Sequence, residues 1–170
     1  MGSEQYGSLR IVTKECNILF ECRERNQLYS IKRGDEELLA APVRLNFWRA
    51  LTDNDRGSRA GSRLGCWRDA GNTPGIYNNT KFSIEGYKIL ENGRKGVVTC
   101  GAVICTQPES KATIIYTITS NGIEVDMQFR PDETLPEVPE ISMLFELPGD
   151  FENVTYLGAG PFENYIDRNN

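Results

Sequence analysis

The sequence predicts an all-β protein with one short helix, its strands antiparallel and packed as a sandwich or barrel. Three observations carry this. Apolar and polar residues alternate with period two along several segments, which places alternate side chains on opposite faces of a sheet. Turn dipeptides punctuate those segments at short intervals. Only one stretch, near residues 58–70, ends as a helix would, on a glycine.

The elements follow in chain order. Strands are expected at Ser8–Thr13, Asn17–Arg23 and Gln27–Lys32. Pro42–Arg49 reads as another, because Val43, Leu45 and Phe47 alternate with Arg44, Asn46 and Trp48. The helix runs from about Ser58 to Ala70, with Gly71 as its C-cap. A hairpin joins Phe82–Leu90 to Val97–Thr106 through Asn92-Gly93. The clearest hairpin follows. Ile114, Tyr116 and Ile118 alternate with Ile115, Thr117 and Thr119, and Asn121-Gly122 suits a type I′ turn. Beyond it Ile123, Val125, Met127 and Phe129 alternate with Glu124, Asp126, Gln128 and Arg130, giving one apolar and one wet face. Residues 131–139 read as a crossing loop, and a last strand is expected near Glu140–Leu147. A length of 170 residues makes one domain the natural count. Residues 1–7 read as a disordered or expression-derived start, and 8–170 as the folded part.

Composition excludes several chemistries. With no histidine, neither a Ser-His-Asp nor a Cys-His nucleophile system can form, nor a His-ligated metal site. A net charge of −5 argues against nucleic acid and anionic membrane as partners. The apolar runs are far shorter than the ~20 residues that span a bilayer, and the first residues lack the apolar core of a signal peptide. The cysteines (Cys16, Cys22, Cys66, Cys100 and Cys105) are odd in number and show no Cys-x-x-Cys pair, which suits reduced thiols in a cytoplasm.

Three constellations could carry chemistry. In Phe47–Gly57 an aromatic strand end runs into Asp53-Asn54-Asp55. If that turn is extended, the two aspartates share a face roughly 6.6 Å apart, inside the ~5–9.5 Å range of glycosidase carboxyl pairs. The same residues suit a turn stabilised by ion pairs, or contact with a sugar or a neighbouring domain. An EF-hand calcium loop does not fit, because glycine falls fifth and Leu64 twelfth from Asp53. In Tyr156–Arg168, Gly158-x-Gly160 lacks the third glycine and the βαβ setting of a dinucleotide fingerprint. Its Glu163, Asp167 and Arg168 suit an ion-pair knot or a partner surface. In Cys66–Gly71, Trp67 suits packing of the helix onto a sheet or stacking on a sugar ring.

The string Phe47-Trp48-Arg49-Ala50-Leu51-Thr52-Asp53-Asn54-Asp55 resembles the Phe-Trp-Arg-Ala-Pro-Thr-Asp-Asn-Asp signature of family 2 β-galactosidases. Gly158-Ala159-Gly160-Pro161-Phe162-Glu163-Asn164-Tyr165-Ile166-Asp167-Arg168 is similar to that family's Gly-x-Gly-Pro-x-Glu-Asn-Tyr-x-Asp-Arg motif. The Trp67…Gly71 element falls between them in the family's order, so the resemblance reaches from about Ser8 to the C-terminus. Leu51 and Ile166 each stand where the family usually has proline.

The resemblance implies an antiparallel supersandwich of the galactose mutarotase type, here its N-terminal part only. That domain closes the long enzymes and is a separate small chain in split ones. It implies a non-catalytic segment that supports a catalytic barrel and subunit assembly. The two catalytic glutamates, the magnesium and the sodium belong to that barrel, and the domain's pocket tryptophan lies further C-terminal. No catalytic or metal residue therefore maps onto this chain. The ligand- or domain-contact candidates are Trp48, Arg49, Asp53, Asn54, Asp55 and Trp67 in the first part of the chain. Glu163, Asn164, Tyr165, Asp167 and Arg168 complete them in the second. The expected partners are a catalytic large chain or barrel domain, a galactoside, and a second copy through exposed strand edges. The alternatives are a galactoside-binding module and, more remotely, a sugar mutarotase.

Overall fold

Period-two alternation produces two antiparallel sheets whose apolar faces meet. The computed structural model describes residues 8–21, 27–70, 80–155 and 157, together with the backbone of residues 2–5. The first sheet is a meander in the order β1 (Gly2–Gln5), β2 (Ser8–Val12), β3 (Cys16–Glu21), β4 (Gln27–Arg33) and β5 (Glu36–Glu37). The backbone of β1 thus pairs with β2 inside the stretch expected to be disordered. Leu9, Ile11, Ile18, Phe20 and Leu28 face inward and are buried. The β3–β4 register slips between Leu19 and Phe20, so Tyr29 is an extra residue and stands exposed.

The second sheet runs in the order β10 (Gly122–Arg130), β9 (Ser110–Thr119), β8 (Lys95–Ile104) and β7 (Lys81–Leu90). Val98, Cys100, Ala102 and Ile104 of β8 and Ala112, Ile114, Tyr116 and Ile118 of β9 form its buried face. The sheets touch where Phe20 meets Tyr116 edge-on, centroids 5.2 Å apart. They also touch at Gly96, where a Cβ would lie 3.4 Å from Ile11 Cγ2.

Both hairpins form, but their turns differ from the expectation. Thr119 pairs with Gly122, so Ser120-Asn121 make the loop and only Gly122 has positive φ, at 149°. A type I′ turn needs positive φ at both central residues, so Asn121-Gly122 is not one. The β7–β8 loop is longer. Glu91, Asn92 and Gly93 all have positive φ (54°, 54° and 89°), and the strands pair again at Leu90–Lys95.

The expected strands at Pro42–Arg49 and Glu140–Leu147 shrink to β6 (Arg44–Asn46) and β11 (Ser142–Leu144), which pair with each other. The Asn46 amide turns back to the Trp48 carbonyl at 2.8 Å and ends the ladder there. Three short helices stand where one was expected: α1 (Asp53–Gly57) precedes the expected span of about Ser58 to Ala70, and α2 (Ala60–Arg63) and α3 (Gly65–Ala70) divide it. Arg59, left-handed at φ 56°, separates the first two. Ala60, Leu64, Trp67 and Ala70 are nevertheless all buried, so one apolar face at helical spacing survives the breaks. The expected cap at Gly71 lies outside the described residues. No described helix is long and apolar enough to cross a membrane.

Candidate functional site

The first motif occupies the corner where β6 leaves its ladder and α1 begins. Helices start where a side-chain oxygen can accept from an orphan N–H. Thr52 does this: its Oγ1 accepts from Asp55 N at 3.2 Å. Asp55 returns the bond, its Oδ2 accepting from Thr52 N at 2.8 Å, which completes a capping box. Asp53-Asn54-Asp55 is therefore the first turn of a helix and not an extended turn. Two helical positions apart, Asp53 and Asp55 point to different sides. Asp53 has a 98 % exposed side chain and forms an ion pair with Arg56, at 2.9 Å. Asn54 is also exposed.

Asp55 is the hub of the corner. Beyond Thr52 N it accepts from Thr52 Oγ1 at 2.8 Å, and from Arg49 Nη1 and Nη2 at 2.6 and 3.3 Å. The paired guanidinium bonds fix both planes. Arg49 and the Thr52 donors hold the Asp55 carboxyl well below the usual carboxylate range. Arg49 also donates from Nε to the Pro139 carbonyl at 3.2 Å. One side chain thus ties the helix start to the segment leading into β11. Arg63 reinforces the tie through an ion pair with Glu137.

Trp67 does the same from α3. It is fully buried, packs tilted against Phe47 and edge-on against Phe129 with centroids 5.9 and 5.8 Å away, and donates from Nε1 to the Pro136 carbonyl at 3.0 Å. Of the two readings of Trp67, packing onto the sheet is the observed one. Trp48 is half-buried, with the Arg68 guanidinium 5.9 Å from its ring centroid. Below it the Asn46 amide donates to Glu140 Oε1 and Ser142 Oγ, both at 3.0 Å, and Ser142 Oγ donates to Glu140 at 2.6 Å.

Trp48, Arg49, Asp55 and Trp67 therefore cluster at one corner, while Asp53 and Asn54 face solvent. Glu163, Asn164, Tyr165, Asp167 and Arg168 lie outside the described residues. Sequence reading missed Asn46, Glu140, Ser142 and the two proline carbonyls. Glu140, Ser142 and the proline carbonyls reach Asn46, Arg49 and Trp67 across 69 to 96 residues of chain, and no local pattern signals such a contact. Burial pushes the Cys66 thiol up, which does not favour a thiolate nucleophile there. Among the described residues no three His, Cys, Asp or Glu side chains gather as a metal site would need. The corner's chemistry is that of an anchor: the motif's inward carboxylate, Asp55, accepts from four donors, and the neighbouring Glu140 accepts from Asn46 and Ser142, so both carboxylates are held as acceptors and poorly placed to give or take a proton.

Residues 13–170 match the family described as "Beta galactosidase small chain". The chain is 33% identical over 150 residues to a beta-galactosidase of Priestia megaterium, covering 86% of this chain and 13% of that protein. It is 31% identical over 147 residues to a beta-galactosidase of Clostridium acetobutylicum, covering 86% and 16%. Against the beta-galactosidase small subunit of Latilactobacillus sakei the identity is 29% over 150 residues, covering 80% and 46%. The chain thus spans a small part of the long relatives and about half of the small subunit.

Proposed function

The chain belongs to the β-galactosidase small-chain family, and from that membership we propose that it is a non-catalytic β-sandwich segment of a β-galactosidase. The parent activity is hydrolysis of terminal non-reducing β-D-galactose from β-galactosides such as lactose, in a cytoplasm. A retaining glycosidase needs a carboxylic acid and a carboxylate nucleophile facing the scissile bond. That pair, with the magnesium and sodium, we assign to a barrel outside this chain. The observation that supports the reading best is the state of Asp55: the motif's inward carboxylate is bound by Arg49 and Thr52 instead of standing open.

The segment's role is to hold a surface against the catalytic part. Ile141, Phe145, Leu147, Phe151 and Val154 are exposed by 39 to 83% within one short stretch, as interaction surfaces often are. The purified chain should not hydrolyse a chromogenic galactoside. Turnover by the chain alone, abolished in Asp55→Asn, would overturn the reading. A second reading, direct galactoside contact, draws on the half-buried Trp48 ring beside Asn46 and Glu140. Saturable amide shifts confined to residues 46–55 on titration with galactose would support it, and a flat titration would remove it.

A further inference from the structure

The four-stranded sheet ends in two long strands that are built differently. β7 carries a register shift between Ile84 and Gly86, with Glu85 as the extra residue, and exposes Lys81 and Lys88. A bulge and lysines are the usual guards of an edge strand. β10 has neither. Its nine residues run in unbroken register with β9, without bulge, proline or lysine.

Burial differs too. Ser110, Ala112, Ile114, Tyr116 and Ile118, the inward residues of β9, are all buried. Their neighbours on β10 (Ile123, Val125, Met127 and Phe129) are only partly so. Among the described residues no strand pairs with the far side of β10. The outward row of Glu124, Asp126, Gln128 and Arg130 is exposed throughout, with acid at one end and base at the other.

We propose that β10 pairs antiparallel with β10 of a second copy, about a two-fold axis at Met127, to give one continuous sheet across a dimer. The register follows from two constraints. Inward residues must face inward residues, so the axis passes through a residue and not between two. Charge then selects which one. An axis at Asp126 sets that carboxylate against its own copy, and an axis at Val125 sets Glu124 against Asp126 twice. An axis at Gln128 runs the strand into Pro131 and shortens the overlap. An axis at Met127 sets Val125 against Phe129, Asp126 against Gln128, and Glu124 against Arg130. By symmetry that last ion pair forms twice, and no two like charges stand directly opposite each other. Cross-strand pairs of opposite charge favour a ladder and like charges oppose it.

Seven residues a side are fewer than the roughly 20–30 of a stable interface, so the dimer is weak and concentration-dependent. The proposal is independent of the galactosidase reading. Its test is sedimentation and light scattering of the full chain from about 10 μM to 1 mM, a span that brackets a dissociation constant of about 100 μM. The mass is expected to rise from monomer to dimer. Amide resonances of Ile123–Phe129 should shift with concentration while those of Lys81–Leu90 stay fixed. Glu124→Arg and Arg130→Glu should each weaken the dimer about tenfold or more. The double variant, which restores two opposite-charge pairs in reversed order, should recover it. All three variants change exposed side chains only. A monomer at every concentration would overturn the proposal. So would shifts centred on β7 or on residues 141–154, or a double variant no better than the singles.

Discussion

Replacing Trp67 by phenylalanine probes the joint that gives the corner its shape. The ring is fully buried against Phe47 and Phe129, and its N–H is bonded to Pro136 O at 3.0 Å. Aromatic side chains bury ~150–250 Å², so the step from Trp to Phe gives up roughly 40–50 Å², or about 1 kcal/mol. The Pro136 carbonyl then lacks its donor inside the structure, which costs about 1–2 kcal/mol more. The total is about 2–3 kcal/mol, equivalent to a fall of roughly 5–10 °C in Tm for a chain of this size. Urea unfolding followed by far-UV circular dichroism measures it. Fluorescence provides a second probe, because the variant retains Trp48 as its sole tryptophan. A loss below about 1 kcal/mol would refute the argument, since it would mean that neither the burial nor the hydrogen bond is present.

Three further outcomes follow from the same geometry. Asp55→Asn should lower the unfolding midpoint while Asp53→Asn leaves it unchanged, because only Asp55 ties Arg49 to the helix cap; equal effects in urea titrations would contradict this. Glu91→Gly should stabilise the fold by about 1 kcal/mol, since the left-handed backbone at φ 54° is costly for glutamate and free for glycine; a lower Tm would count against it. Asp55 and Glu37 have folded pKa values below their ordinary 3.8 and 4.5. Arg49 and Thr52 are the cause for Asp55. For Glu37, bonds from Ser30, Leu39 and Ile31 outweigh the burial that opposes them. A depressed carboxylate pKa adds stability above the unfolded value and loses it as pH falls through the folded one. Midpoints should therefore be level near neutrality and fall as pH drops from about 4.5 downward; stability rising below pH 4 would reverse the sign.

The strands were legible where the buried row obeys the period of two, as it does most cleanly in β9 and β10. Ile114, Tyr116 and Ile118 face the core where alternation places them, and the outward Glu124, Asp126, Gln128 and Arg130 stay wet. The helix start was not. Its box uses Asp at the third position, where Glu or Gln is the usual signal, and Asp-Asn-Asp is equally good turn chemistry. The break at Arg59 has no signal either, because arginine at positive φ violates local preference. In the first motif the aromatic and charged residues could be picked out, but their roles could not. Asp53 and Asp55 are identical in type, and only the bonds to Arg49 and Thr52 separate an anchor from a solvated side chain. The loop at 131–139 read as a mere connection. Its Pro136 and Pro139 carbonyls hold Trp67 and Arg49, and backbone acceptors carry no trace in a sequence.

The most direct test of the scaffold role is complementation. A catalytic barrel part of a β-galactosidase, produced separately, is assayed with a chromogenic galactoside in the absence and presence of this chain, and of its Phe145→Asp/Leu147→Asp variant. The account predicts no turnover from this chain alone, higher turnover when the barrel and the chain are mixed, and loss of that gain in the variant. Turnover by this chain alone, or a barrel whose rate is indifferent to it, would contradict the account.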